Sequence, residues 1–88
     1  MYYLVQDDAM LFDRIRKGDI LVIEPYRDAL NNHDIFLVEI GQKKYIRRVT
    51  ALEEGYSLVP SNKTHDEIKC NNFKVVGIVV KSLMFFNN

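Results

Sequence analysis

The chain has 88 residues, with 12 Lys and Arg against 12 Asp and Glu, and a formal net charge of zero excludes the cationic excess by which a domain holds DNA unaided. Hydrophobic residues at 48% and charged residues at 27% match globular usage and exclude a disordered tail or low-complexity linker. A chain this short hides only about 60% of its unfolded surface, so it reads as one domain over residues 1–88 with a modest core that a partner copy supplements.

In chain order, Asp8 to Arg16 predicts one short helical turn, capped by Asp7 or Asp8 and stopped at Lys17-Gly18-Asp19. Ile20 to Ile23 is a β-branched run bounded by polar residues and predicts a strand. Tyr26 to Asn32 leads into Asn31-Asn32-His33-Asp34, which is loop composition. Ile35 to Thr50 reads as a hairpin turning at Gly41-Gln42, and Glu53-Glu54-Gly55 turns that ribbon into a strand at Tyr56 to Val59. Phe73 to Phe86 is the longest strand candidate, with Gly77 marking a bulge, a bend or a close backbone approach. The fold class is all-β and antiparallel, with at most one helical turn and neither repeat nor linker.

Isolated chemical motifs are scarce. The lone Cys70 excludes an internal disulfide and suits a reducing cytoplasm. The apolar runs fall short of the roughly 20 residues that span a bilayer. Asp7 and Asp8 interrupt the apolar stretch that a signal peptide would need. The expectation is a soluble cytoplasmic protein without a membrane segment. His65, Asp66, Glu67 and Cys70 superficially offer metal ligands, but one thiol without a paired ligand is a poor zinc pattern; His33 and His65 read as solvated, and no metal or cofactor is expected. Lys43, Lys44, Arg47 and Arg48 read as charges that blunt an edge strand. Ser57, Ser61 and Ser82 read as turn or strand-surface hydroxyls.

The order of segments is more specific. Asp7-Asp8-Ala9-Met10, Ile15 to Ile23, Asn32 to Val38, Tyr45-Ile46-Arg47-Arg48-Val49, Leu58-Val59-Pro60-Ser61-Asn62 and Val75 to Val80 follow one another as in the C-terminal domain of LexA-type and phage CI-type repressors. The chain resembles that family from Asp7 to about Val80. The resemblance implies a small domain of curved antiparallel sheets, shared with signal peptidases. It also implies self-cleavage of a hinge by a Ser nucleophile and a neutral Lys, in repressors of the SOS type. The nucleophile position falls on Ala9 and the base position on Arg47. Alanine has no hydroxyl, and a guanidinium keeps its proton at ordinary pH, so neither can serve. Asp7 stands where the family has glycine, and Asp tolerates the left-handed backbone such a turn would ask for. Arg47 then reads as a buried partner for Asp8 or Asp19.

Without the dyad, the resemblance leaves pairing of subunits: a homodimer or higher homo-oligomer, with Leu83, Met84, Phe85 and Phe86 as the candidate interface. The competing fate of those side chains is to fold back onto the monomer's own core. Two further readings stay open: a self-cleaving Ser-Lys peptidase captured as an inactive variant, and a stand-alone regulator that docks on an intact repressor. All of them require residues 9 and 47 to lie side by side in a shallow cleft of a β-built body.

Overall fold

The computed structural model describes residues 1–26 and 29–83. Its strands are β1 (Tyr2–Leu4), β2 (Ile20–Glu24), β3 (Phe36–Ile40), β4 (Lys43–Ala51), β5 (Tyr56–Val59), β6 (Ile68–Cys70) and β7 (Lys74–Leu83). They form one antiparallel sheet in the order β1-β2-β7-β3-β4-β5-β6. Among the described residues the one helical piece is a 3-10 turn at Leu11–Asp13, inside the stretch expected to hold it. The all-β antiparallel class is therefore borne out. Among the described residues no helix is long and apolar enough to cross a membrane.

Two long strands change partners along their length, which lets one sheet wrap two clusters of apolar side chains. β4 pairs through Lys43–Arg47 with β3 and through Arg48–Ala51 with β5. β7 pairs through Lys74–Ile78 with β3 and through Ile78–Leu83 with β2. The basic stretch of β4 is thus not the outermost strand; each half pairs on one side, and Arg47 within it is buried. β3 explains why Phe36-Leu37-Val38 is continuously apolar. Leu37 faces a cluster of Val5, Met10, Ile15, Leu21, Ile23 and Ile46, whereas Phe36 and Val38 face a second cluster with Val49 and Leu58. A strand covered on both faces loses the period of two.

Gly77 sits where β7 passes close to β2. The register slips between Val22 and Ile23 on β2 and between Leu37 and Val38 on β3, so β7 is bulged against both neighbours. A Cβ on Gly77 would stand 2.5 Å from the Glu24 carbonyl oxygen and 2.5 Å from Ile23 Cγ2. The expected bulge and the expected close approach coincide at this residue. β1 and β6, three residues each, are strands that the sequence pattern did not announce. Leu83 is half-buried at the end of β7, opposite Ile20, while Met84, Phe85 and Phe86 lie outside the described residues.

Replacing Gly77 by Ala should cost about 1–3 kcal/mol, because the added methyl meets backbone that must shift. Gly41→Ala, at a hairpin position with φ 61° and nothing within 4 Å, should cost about 1 kcal/mol from backbone strain alone. Urea unfolding of both variants checks the order; equal midpoints would show that β7 has room at Gly77.

Candidate functional site

The turn before the 3-10 helix is organised by the side chain of Asp7. Its Oδ1 accepts the Ala9 amide at 3.0 Å, closing an Asx turn over residues 7–9. The left-handed backbone expected of Asp7 is not used: among the described residues the positive-φ position outside glycine is Arg14, at 63°. Asp7 keeps the turn through its carboxylate instead.

The same carboxylate faces position 47. Asp7 Oδ2 lies 3.6 Å from Arg47 Nη2, with the arginine side chain 4% and the aspartate side chain 38% exposed. Arg47 Nη1 donates to the Ile46 carbonyl at 2.8 Å, and the guanidinium carbon stands 5.4 Å from the Tyr45 ring centre. Arg47 Nε is buried without a hydrogen-bond partner. Arg47 therefore does have a carboxylate beside it, but neither of the two expected. Asp8 is engaged by His65, and Asp19 accepts the Arg16 amide at 2.9 Å. Burial raises the Tyr3 hydroxyl above its ordinary value, and the Asp7 charge adds to the rise while Arg47 opposes it.

Residues 9 and 47 are thus joined through one carboxylate, and both are buried. Ala9 is fully buried and Arg47 is 3% exposed. The two described grooves, about 510 and 610 Å³, lie along the stretch from Glu24 to Asp34, and neither Ala9 nor Arg47 lines them. Their walls combine Tyr26, Ala29 and Asn31 with Phe36 and Ile78 on one side and Val49 and Tyr56 on the other.

A second loop clamps the turn from above. Asn62, 7% exposed, gives its amide to the Ala9 carbonyl at 2.9 Å and its Nδ2 to the Asp8 carbonyl at 3.1 Å. Its Oδ1 accepts the Thr64 amide and hydroxyl at 3.2 and 3.0 Å. Three residues on, His65 Nε2 meets Asp8 Oδ1 at 2.5 Å, so His65 is a contact of the turn and not a free loop residue. Asp13, at the end of the 3-10 turn, takes Arg48 Nη1 at 2.6 Å and ties the same region to β4. Asn62 was visible in sequence only as the last residue of Leu58-Val59-Pro60-Ser61-Asn62. The roles of Asp7 and His65 had no local signal. The serines also differ from expectation: Ser57 is 2% exposed and meets Glu67 Oε1 at 3.3 Å, and the hydroxyl oxygens of Ser61 and Ser82 are buried. Among the described residues no three or more His, Cys, Asp or Glu side chains converge in a metal-binding arrangement.

With this geometry, the comparison with protein families is decisive. The model of the family described as Peptidase S24-like matches residues 1–80. The chain belongs to the Peptidase S24-like family. No curated protein matches it. The match spans every described strand except the end of β7, and bears out the likeness to LexA-type domains that the ordered segments carry.

In this S24-like chain the contacts around the turn set two measurable expectations. Asn62→Ala removes donors and an acceptor from a buried junction and should cost about 1–3 kcal/mol in urea unfolding; a change near zero would show that the loop holds without it. The His65 hydrogen bond holds Asp8 below its ordinary value, and the Arg48 hydrogen bond does the same for Asp13. A carboxyl lowered by folding contributes in full above its unfolded pKa, and the contribution fades as pH falls through the folded one. Stability should therefore decline from about pH 5 downward. Asp13→Asn should flatten that decline, and an unchanged acid slope in the variant would contradict the assignment.

Proposed function

We propose that this S24-like chain is a catalytically silent domain that works by subunit association in transcriptional regulation, in the cytoplasm and without touching DNA itself. The observation that carries the reading is the pairing of a buried methyl at position 9 with a buried guanidinium at position 47, both held by Asp7. Hydrolysis by a Ser-Lys pair needs a hydroxyl to attack the carbonyl and an amine that is neutral enough to take its proton. Ala9 supplies no attacking oxygen. Position 47 carries a guanidinium, a group that does not give up its proton at ordinary pH, and its neighbour is a carboxylate. The position that would hold a base holds an ion pair.

Association is supported by size and by what the sheet leaves uncovered. A domain of 88 residues has little core to spare, yet Tyr2 and Leu4 on the outermost strand are 70% and 52% exposed and Phe12 is 73% exposed. The alternative of a peptidase merely lacking its nucleophile is less economical, because both halves of the dyad depart together with the residue at position 7.

The test supplies a hinge peptide of a LexA-type repressor to the native chain and to Ala9→Ser/Arg47→Lys, following cleavage by mass spectrometry. The native chain should leave the peptide intact over days. Turnover by the native chain would overturn the proposal. Cleavage by the double variant alone would mark these two positions as the site of the loss.

A further inference from the structure

β1 closes one end of the sheet, and the direction of its backbone groups decides what it offers. Met1 exchanges hydrogen bonds with Ile23 in both directions, at 2.9 and 2.8 Å, and the Val5 amide donates to the Asp19 carbonyl at 2.8 Å. Tyr3 lies opposite Leu21 between these two pairs. Odd residues of β1 therefore bond inward, and the alternation of an antiparallel ladder turns the N–H and C=O groups of Tyr2 and Leu4 outward. Their side chains share a face with Val22 and Ile20 and are largely exposed.

Open edges normally carry charge that discourages pairing. The other stretches that pair on one side only do so: Lys69 on β6, Lys43, Lys44 and Arg48 on the two halves of β4, and Lys74 and Lys81 on the two parts of β7. β1 is the exception. Met1 to Gln6 contains no charged side chain, and the terminal ammonium is directed to the Ile23 carbonyl. Among the described residues the cover seen on this edge is Gln6, whose exposed Nε2 donates to the Leu4 carbonyl at 3.0 Å. A flexible amide of this kind satisfies the carbonyl in the monomer and can yield it to an incoming N–H.

The edge is also self-complementary. Placed antiparallel to its own copy about Tyr3, β1 sets Tyr2 of one chain opposite Leu4 of the other, as two outward-facing hydrogen-bonding pairs related by a two-fold axis. Each pair joins an exposed aromatic to an exposed aliphatic side chain, the kind of cross-strand contact that stabilises sheets. The symmetry closes after two copies, so the contact does not propagate into a fibre.

We infer that β1 is the self-association edge of this domain, joining two copies antiparallel about Tyr3 into one continuous sheet. The inference rests on the proposed role in subunit association and places it on β1. Sedimentation or light scattering of the full chain at its highest soluble concentration should find a dimer. Leu4→Pro deletes an outward N–H that the monomer's own ladder does not use, and should give a folded monomer. Tyr2→Lys/Leu4→Lys places like charges opposite one another across the two-fold and should also be monomeric. Tyr2→Glu/Leu4→Lys loses the same apolar area but creates complementary pairs in this register, and should remain dimeric. Circular dichroism and urea midpoints confirm that each variant is folded. A native dimer that Leu4→Pro and the two-lysine variant leave intact would overturn the β1 assignment and leave association standing. A glutamate-lysine variant as monomeric as the two-lysine one would overturn the register. A strictly monomeric native chain would overturn both the edge and the role on which it rests.

Discussion

One carboxylate organises the region where the S24-like fold would carry out chemistry. Asp7 uses Oδ1 to fix the backbone at position 9 and Oδ2 to face the guanidinium at position 47, and so spans the loop after β1 and the middle of β4. A buried arginine without a nearby negative charge would be costly, because its desolvation is offset only by good partners. Arg47 has an incomplete set: one carbonyl, one aromatic ring, one carboxylate at 3.6 Å and a bare Nε. Asp7 is therefore the one negative group shown beside a charge that the fold has already buried.

From this contact the remaining structure around the turn follows. With position 9 pinned, its carbonyl points to the Asn62 amide and the Asp8 carbonyl to Asn62 Nδ2, which seats the loop after β5. His65 and Arg48 then engage Asp8 and Asp13 on either side. The result is a polar junction beside an apolar cluster that includes Met10, Ile15 and Ile46. The proposed loss of chemistry at positions 9 and 47 would leave the surfaces of the sheet to carry the role, and β1 is an edge without charged side chains.

Much of the fold was legible because its signals are local. The Gly41-Gln42 hairpin, the turn through Glu53-Glu54-Gly55 and the β-branched runs of β2, β3 and β5 each follow from a few neighbouring residues. Gly77 announced both the bulge and the crowding at Glu24. β1 and β6 were not legible, since three residues give no periodicity and both depend on strands already in place. The candidate site divides in the same way. Positions 9 and 47 emerged from the order of segments. The partner of Arg47 did not, because Asp7, Asp8 and Asp19 are chemically equivalent in sequence and are separated only by which loop lands on which strand. Likewise, nothing near His65 foretold a contact with Asp8, 57 positions away.

The coupling between Asp7 and Arg47 is the most direct measure of this account. A double-mutant cycle with Asp7→Asn, Arg47→Met and the pair of changes, read from urea unfolding, isolates their interaction from the packing each side chain loses. The account predicts a favourable coupling of about 1 kcal/mol, with Asp7→Asn far less damaging once Arg47 is replaced. Strictly additive losses would show that the two side chains stand near each other without holding each other, and that position 47 is buried for some other reason.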